Sequence, residues 1–144
     1  MDYFLLVASV SLVFQVAVFV LLLGGWTLKK MRRFREHGVF MLIGVVLHLV
    51  VILGLMVPSF VAAFVPMAAS QVSLSMVVAF VHAGLGISAA ALGVWLVAGW
   101  RLRRDLDYCM PKKRWMRRTL LVWLSALILD FILYLSLFWN LLFS

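Results

Sequence analysis

The chain has 144 residues, about one domain's worth. Apolar types make up 67% and charged types 12%, against about 45–50% and about 25% in soluble domains. That excludes an ordinary soluble fold and a disordered chain, so the +8 net charge must be read by position before it is assigned to a polyanionic partner.

The first apolar run, residues 3 to 28, carries no Asp, Glu, Lys or Arg. A hydrocarbon core of about 30 Å needs about 20 helical residues, so this run predicts a first span over about 3–26. Met1-Asp2-Tyr3 offers no basic region ahead of it, and the span is expected to be retained instead of cleaved as a signal. It ends at Lys29, Lys30, Arg32, Arg33 and Arg35.

The next charge-free run, Gly38 to Trp100, would make a helix of about 95 Å, three times too long. A reversal is therefore required. Pro58-Ser59, Pro66 and Ser70-Gln71-Val72-Ser73 supply the punctuation, because proline lacks an N–H and disfavours helix before it. Spans two and three are predicted over about 38–57 and 73–99, with an apolar connector at the membrane interface. The last run is predicted as a span over about 119–142 and is interrupted only by Asp130. The expected fold is an all-α, antiparallel bundle of four transmembrane helices in one membrane domain, 1–144.

All 13 Lys and Arg residues fall in Lys29–Arg35 or Arg101–Arg118. Four spans put those two loops on one side, and the positive-inside rule makes that side cytoplasmic. Both termini are then expected outside, in a multi-pass protein of the cytoplasmic (inner) membrane. Trp26, Trp100 and Trp115 should mark the inner interface, with Tyr3 and Trp139 at the outer one. The basic loops would touch anionic lipid headgroups, and nucleic acid is not an expected partner. A membrane-protein partner or a second copy is.

The informative residues are the polar ones inside the spans. Gln15, His48, His82 and Asp130 each lie ten to twelve residues from a span end. That is about 15–18 Å deep, near the midplane, one residue per helix. Intramembrane ionisable groups are rare and face the bundle interior. The simplest reading is a polar clasp holding four helices together.

Helical spacing refines this. His37, Met41, Gly44 and His48 share a face of span two. On span three, Ala79, His82 and Gly86 share a face, followed by Ala89, Ala90 and Gly93. Small residues permit close packing, and they also leave room beside a histidine. A b-type haem with axial ligands His48 and His82, cleared by Gly44 and Gly86, is the leading expectation. Gln15, Asp130 and Tyr134 would then orient the ligands from outside the coordination sphere. A copper or iron ion on His48, His82 and Asp130 is the rival. A cofactor-free structural subunit or assembly factor is a third possibility, and a quinone or proton site at Asp130 a fourth.

A weaker peripheral copper site is conceivable from His37, Met41, Cys109 and Met110, all near the basic side. His37 beside Glu36 is otherwise explained as an ordinary interfacial histidine. With Cys109 as the one cysteine, no intrachain disulfide can form. Phosphate-binding glycine loops, HExxH, GxSxG and paired carboxylates are all missing, so the sequence gives no support to a hydrolase or transferase.

Two stretches carry a resemblance. One is Arg32-Arg33-Phe34-Arg35-Glu36-His37-Gly38 with Met41, His48 and then His82; the other is Lys113-Arg114-Trp115-Met116-Arg117-Arg118-Thr119 with Trp123. Together they resemble a group of small four-span membrane proteins described as a domain of unknown function. Some bacterial relatives in that group are implicated in maturation or activity of haem–copper cytochrome oxidases. The resemblance spans roughly Arg32 to Tyr134 and implies a redox-associated electron-transfer or accessory subunit of a respiratory-type complex. This chain departs from the pattern at Lys112 and Lys113, where a histidine is expected, and at Asp130, where a small residue is expected.

Overall fold

The computed structural model describes residues 3–67, 74–100 and 111–143. Its helices are α1 (Tyr3–Lys30), α2 (Phe34–Val51), α3 (Val57–Met67), α4 (Leu74–Trp100) and α5 (Lys113–Phe143). A π-helical turn, Ile52–Met56, joins α2 to α3. No strand occurs among the described residues. Four stretches are long and apolar enough to cross a membrane: Leu5–Lys30, Phe34–Ala62, Leu74–Trp100 and Lys113–Ser136. The chain is an all-α four-helix bundle of multi-pass membrane type.

The second span does not stop at Pro58. The helix runs on to Met67, one residue past Pro66, so residues 58–67 are helix and not connector. The π turn explains how Pro58 is accommodated. In a regular α-helix its ring would strike the carbonyl of Gly54. Widening the preceding turn relieves that clash, and Ser59 Oγ donates to the Leu55 carbonyl at 2.7 Å. Membrane helices commonly satisfy proline-freed carbonyls by such local π adjustments and hydroxyls.

The helices form a closed ring. α1 packs chiefly on α2 and α4 on α5, while α5 also meets α1 and α2 meets α4. The buried faces follow the predicted spacing. They are His37, Gly38, Gly44, Val45, His48 and Val51 on α2. On α4 they are His82, Gly86, Ala89, Ala90, Gly93, Leu96 and Trp100. Val18, Leu22, Val45, Ala89 and Trp123 form the packed centre. Large side chains such as Val13, Leu53, Ile87 and Leu121 point outward. In lipid that exposure carries no hydrophobic penalty, and close packing does the holding.

The tryptophans expected at the interfaces differ in exposure. Trp26, Trp115 and Trp139 are exposed, but Trp100 is 5% exposed. Its indole covers Gly38, which leaves no space for a β-carbon. Trp100 is therefore a bundle-packing residue, not an interface anchor.

The α1–α2 turn is tight. Arg33 N–H donates to the Leu28 carbonyl and Arg32 N–H to Lys29, at 3.0 and 3.1 Å. This is the Schellman pattern, whose left-handed position usually belongs to glycine. Here Arg32 holds it, with φ of 60°. A left-handed conformation costs a β-carbon residue about 1–2 kcal/mol. Arg32→Gly is thus expected to raise unfolding free energy by about 1 kcal/mol, measurable by denaturant titration in mixed micelles. A loss of stability would mean that the arginine side chain itself anchors the turn.

Candidate functional site

Antiparallel helices bring the predicted polar layer together, but in pairs. His82 and Asp130 face each other across α4 and α5, with Nε2 to Oδ1 at 3.8 Å. His82 Nδ1 donates to the Ala126 carbonyl at 2.9 Å. In a neutral ring that bond leaves Nε2 as a lone pair turned toward the carboxyl. Ala126 sits one turn before Asp130 on α5. Its small side chain is what lets the imidazole reach the backbone.

His48 belongs to a different pair. Its Nε2 donates to the Gly86 carbonyl at a long 3.4 Å. Its ring lies 4.4 Å from that of Trp123, tilted by 47°. His48 is 1% exposed, among the largest fully buried side chains. His48 Nδ1 and Trp123 Nε1 are both buried without a hydrogen-bond partner. One is an acceptor and the other a donor, so the two adjacent rings are chemically complementary.

Gln15 completes the layer from α1. It is buried, and its Nε2 contacts the sulfur of Met56 at 3.9 Å. Met56 closes the π turn. Tyr134 lies farther along α5, where its hydroxyl accepts from Ser9 Oγ at 3.4 Å. It ties α5 to α1 and does not touch Asp130 in any described hydrogen bond.

A cavity of about 570 Å³ lies against the His82–Asp130 pair. Ser11 of α1, Met56 of the π turn, Phe60 of α3 and Gly86 of α4 line it. Its size falls in the range of about 300–1,000 Å³ typical of ligand pockets. Most of the wall is aliphatic. Gly86 borders it with nothing within 4 Å of where a β-carbon would stand. The π turn forms one side, in keeping with the habit of such turns to occur at functional sites. Asp130 Oδ2 is buried and has no protein partner.

The two histidines expected as haem ligands point to different places. His48 and His82 are directed at two different helix carbonyls, and only His82 borders the cavity. Gly44 opens no slot either, because its β-carbon position sits 3.7 Å from Leu22 Cδ2 in ordinary packing contact. As placed, the two imidazoles do not frame a macrocycle. For a metal ion, no group of three or more His, Cys, Asp or Glu side chains forms among the described residues. His82 and Asp130 make a pair only.

His37 is explained by packing. Its Nδ1 donates to the Gly25 carbonyl at 2.7 Å, stapling α2 to α1. Met41 packs over Gly25 beside it. Cys109 and Met110, the other two members of the peripheral copper expectation, lie outside the described residues.

Trp123 joins the layer through its ring contact with His48 and not through the pattern of polar residues. An indole two turns before Asp130 on α5 was the available signal. No family model matches the chain, and no curated protein or solved structure matches it.

Proposed function

We propose that this chain is a redox-associated integral membrane protein whose His82–Asp130 pair binds a lipophilic carbonyl compound of the quinone class. The observation that carries the reading is a buried carboxyl and imidazole side by side on the wall of an otherwise apolar intramembrane cavity. A quinone needs three things there. It needs a flat apolar space for its ring, a donor for its carbonyl oxygen, and an acceptor for the hydroxyl of its reduced form. The cavity supplies the first. The pair supplies both others, because it can hold one proton in two places. With the proton on Asp130, the carboxyl donates to a carbonyl oxygen. With the proton on His82 Nε2, Oδ2 accepts from a hydroxyl. The Ala126 bond keeps the imidazole aimed at the carboxyl in both states.

The orientation belongs to the same proposal. The basic ends of α1 and α5 are placed on the cytoplasmic side of the inner membrane by their charge, with both termini outside. The resemblance to four-span relatives tied to cytochrome oxidases supports a redox setting. It also favours an accessory role beside a larger membrane complex.

The test is direct binding of a short-chain benzoquinone to the protein in lipid nanodiscs, followed by the ¹⁵N resonances of the His82 ring. Saturable shifts are expected in the native chain, with affinity reduced at least tenfold in Asp130→Asn and in Gly86→Leu, which fills the cavity. A His82 ring that does not respond to saturating quinone would sink the reading.

A further inference from the structure

A second cavity, of about 420 Å³, opens at the opposite, basic end of the bundle. All four spans contribute to it. Its mouth carries Lys29 and Lys30 from α1 with Lys113 and Arg117 from α5. Its described lining holds these four cations and no carboxylate. Lys30 Nζ rests over the Trp26 ring at 4.3 Å, and Lys29 Nζ lies 3.6 Å from Met116 Sδ. The interior is apolar, ending at Leu22, Leu120 and Trp123.

Depth shows how the two parts relate. From Lys29 to Leu22 is about 10 Å along α1, and from Lys113 to Trp123 about 15 Å along α5. The hydrocarbon of one leaflet is about 15 Å deep, half of a core of about 30 Å. The cavity therefore runs from a cationic rim at headgroup level to an apolar end near the midplane. This polarity gradient matches a molecule with an anionic head and an apolar tail. A generic basic loop would attract headgroups to its outer surface. It would not provide an apolar channel between four helices behind the charges.

We propose that this cavity binds an amphiphile with a phosphate headgroup and one apolar chain, taken from the inner leaflet. The head sits on Lys29, Lys30, Lys113 and Arg117, and the chain runs past Val97 toward Trp123. Lysine and arginine are suited to phosphate by charge and by multiple donors. The site is separate from the His82–Asp130 cavity and stands whether or not that one takes a quinone.

The experiment uses the full chain in phosphatidylcholine nanodiscs, with 12-bromododecyl phosphate as the probe. Bromine at the chain end quenches a tryptophan it reaches, so insertion beside Trp123 gives a saturable loss of fluorescence. At least tenfold weaker binding is expected in Lys113→Gln/Arg117→Gln, which removes charge from the rim. The same loss is expected in Val97→Phe, which blocks the channel and keeps every charge. Asp130→Asn is expected to bind normally, and retained helicity verifies folding in each variant. The proposal is overturned if both altered proteins bind like the native chain. Equal quenching by 12-bromododecanol would overturn it too, since the charge would then play no part. If inorganic phosphate displaces the probe at equal concentration, a free anion is the ligand and the amphiphile reading fails.

Discussion

His82→Ala is expected to be among the most damaging single substitutions in the bundle, costing about 3 kcal/mol. The magnitude follows from what is left behind. The variant loses the Nδ1 bond to the Ala126 carbonyl. Interhelical hydrogen bonds in membranes average only about 0.6 kcal/mol, with a maximum near 1.7, so that loss alone is too small. The larger part comes from Asp130, whose carboxyl keeps its place at 16% side-chain exposure and loses the imidazole that faces it. Removing one partner of a buried pair costs more than removing both. The double variant His82→Ala/Asp130→Ala is therefore expected to be more stable than His82→Ala alone. Unfolding titrations in mixed micelles measure this cycle. Additive losses would show that the two side chains are neighbours without being a pair.

The same cycle bears on function. If the pair is a binding device, its charge and proton capacity are retained at a cost in stability, and a more stable double variant would bind no quinone. If it is only a clasp, the cycle has the same sign, because either single variant orphans a buried group, but the native chain binds no quinone. Binding then separates the two readings with one set of proteins.

Much of the architecture is legible in the sequence because membranes make charge expensive. Runs without Asp, Glu, Lys or Arg mark four spans, and the polar exceptions must face inward. Gln15, His48, His82 and Asp130 are indeed all inside the bundle. The helical spacing around His48 and His82 likewise describes the buried faces of α2 and α4. What the pattern does not contain is the partner of each polar group. His37, His48 and His82 each bond a backbone carbonyl through one ring nitrogen, and a carbonyl has no sequence signature. A matched depth therefore looks the same for two ligands of one cofactor and for two histidines serving separate helices. Pro58 shows another limit. A proline predicts a helix end, and only the geometry of the preceding turn reveals that Ile52–Met56 widens to carry it. The basic-end cavity is invisible for a third reason. It is a space left by four faces, and its lining is scattered from Leu22 to Trp123.

Gly38 provides the sharpest test of how tightly these faces are set. A methyl at this position would fall on the Trp100 indole, and that ring is itself buried. An indole is rigid, so relief requires the whole side chain to turn. Alanine normally gains about 0.8–1 kcal/mol over glycine in a helix. Here overpacking costs of about 1–3 kcal/mol should exceed that gain, and Gly38→Ala is expected to be destabilising. Three other glycines serve as controls. At Gly25 the new methyl would meet chiefly the flexible end of Met41, which can move aside. At Gly44 it would make an ordinary contact with Leu22, and at Gly86 it would meet nothing within 4 Å. Alanine at Gly44 and Gly86 should therefore be neutral or stabilising by up to about 1 kcal/mol. In a Trp100→Ala background the penalty at Gly38 should vanish, a coupling of about 1–3 kcal/mol between directly contacting residues. Trp100 also borders the cationic cavity. Displacing the indole should push it there, so Gly38→Ala should weaken binding of the brominated phosphate as well as stability. An alanine at Gly38 that is tolerated like one at Gly86 would mean that Trp100 is not held against α2 as described.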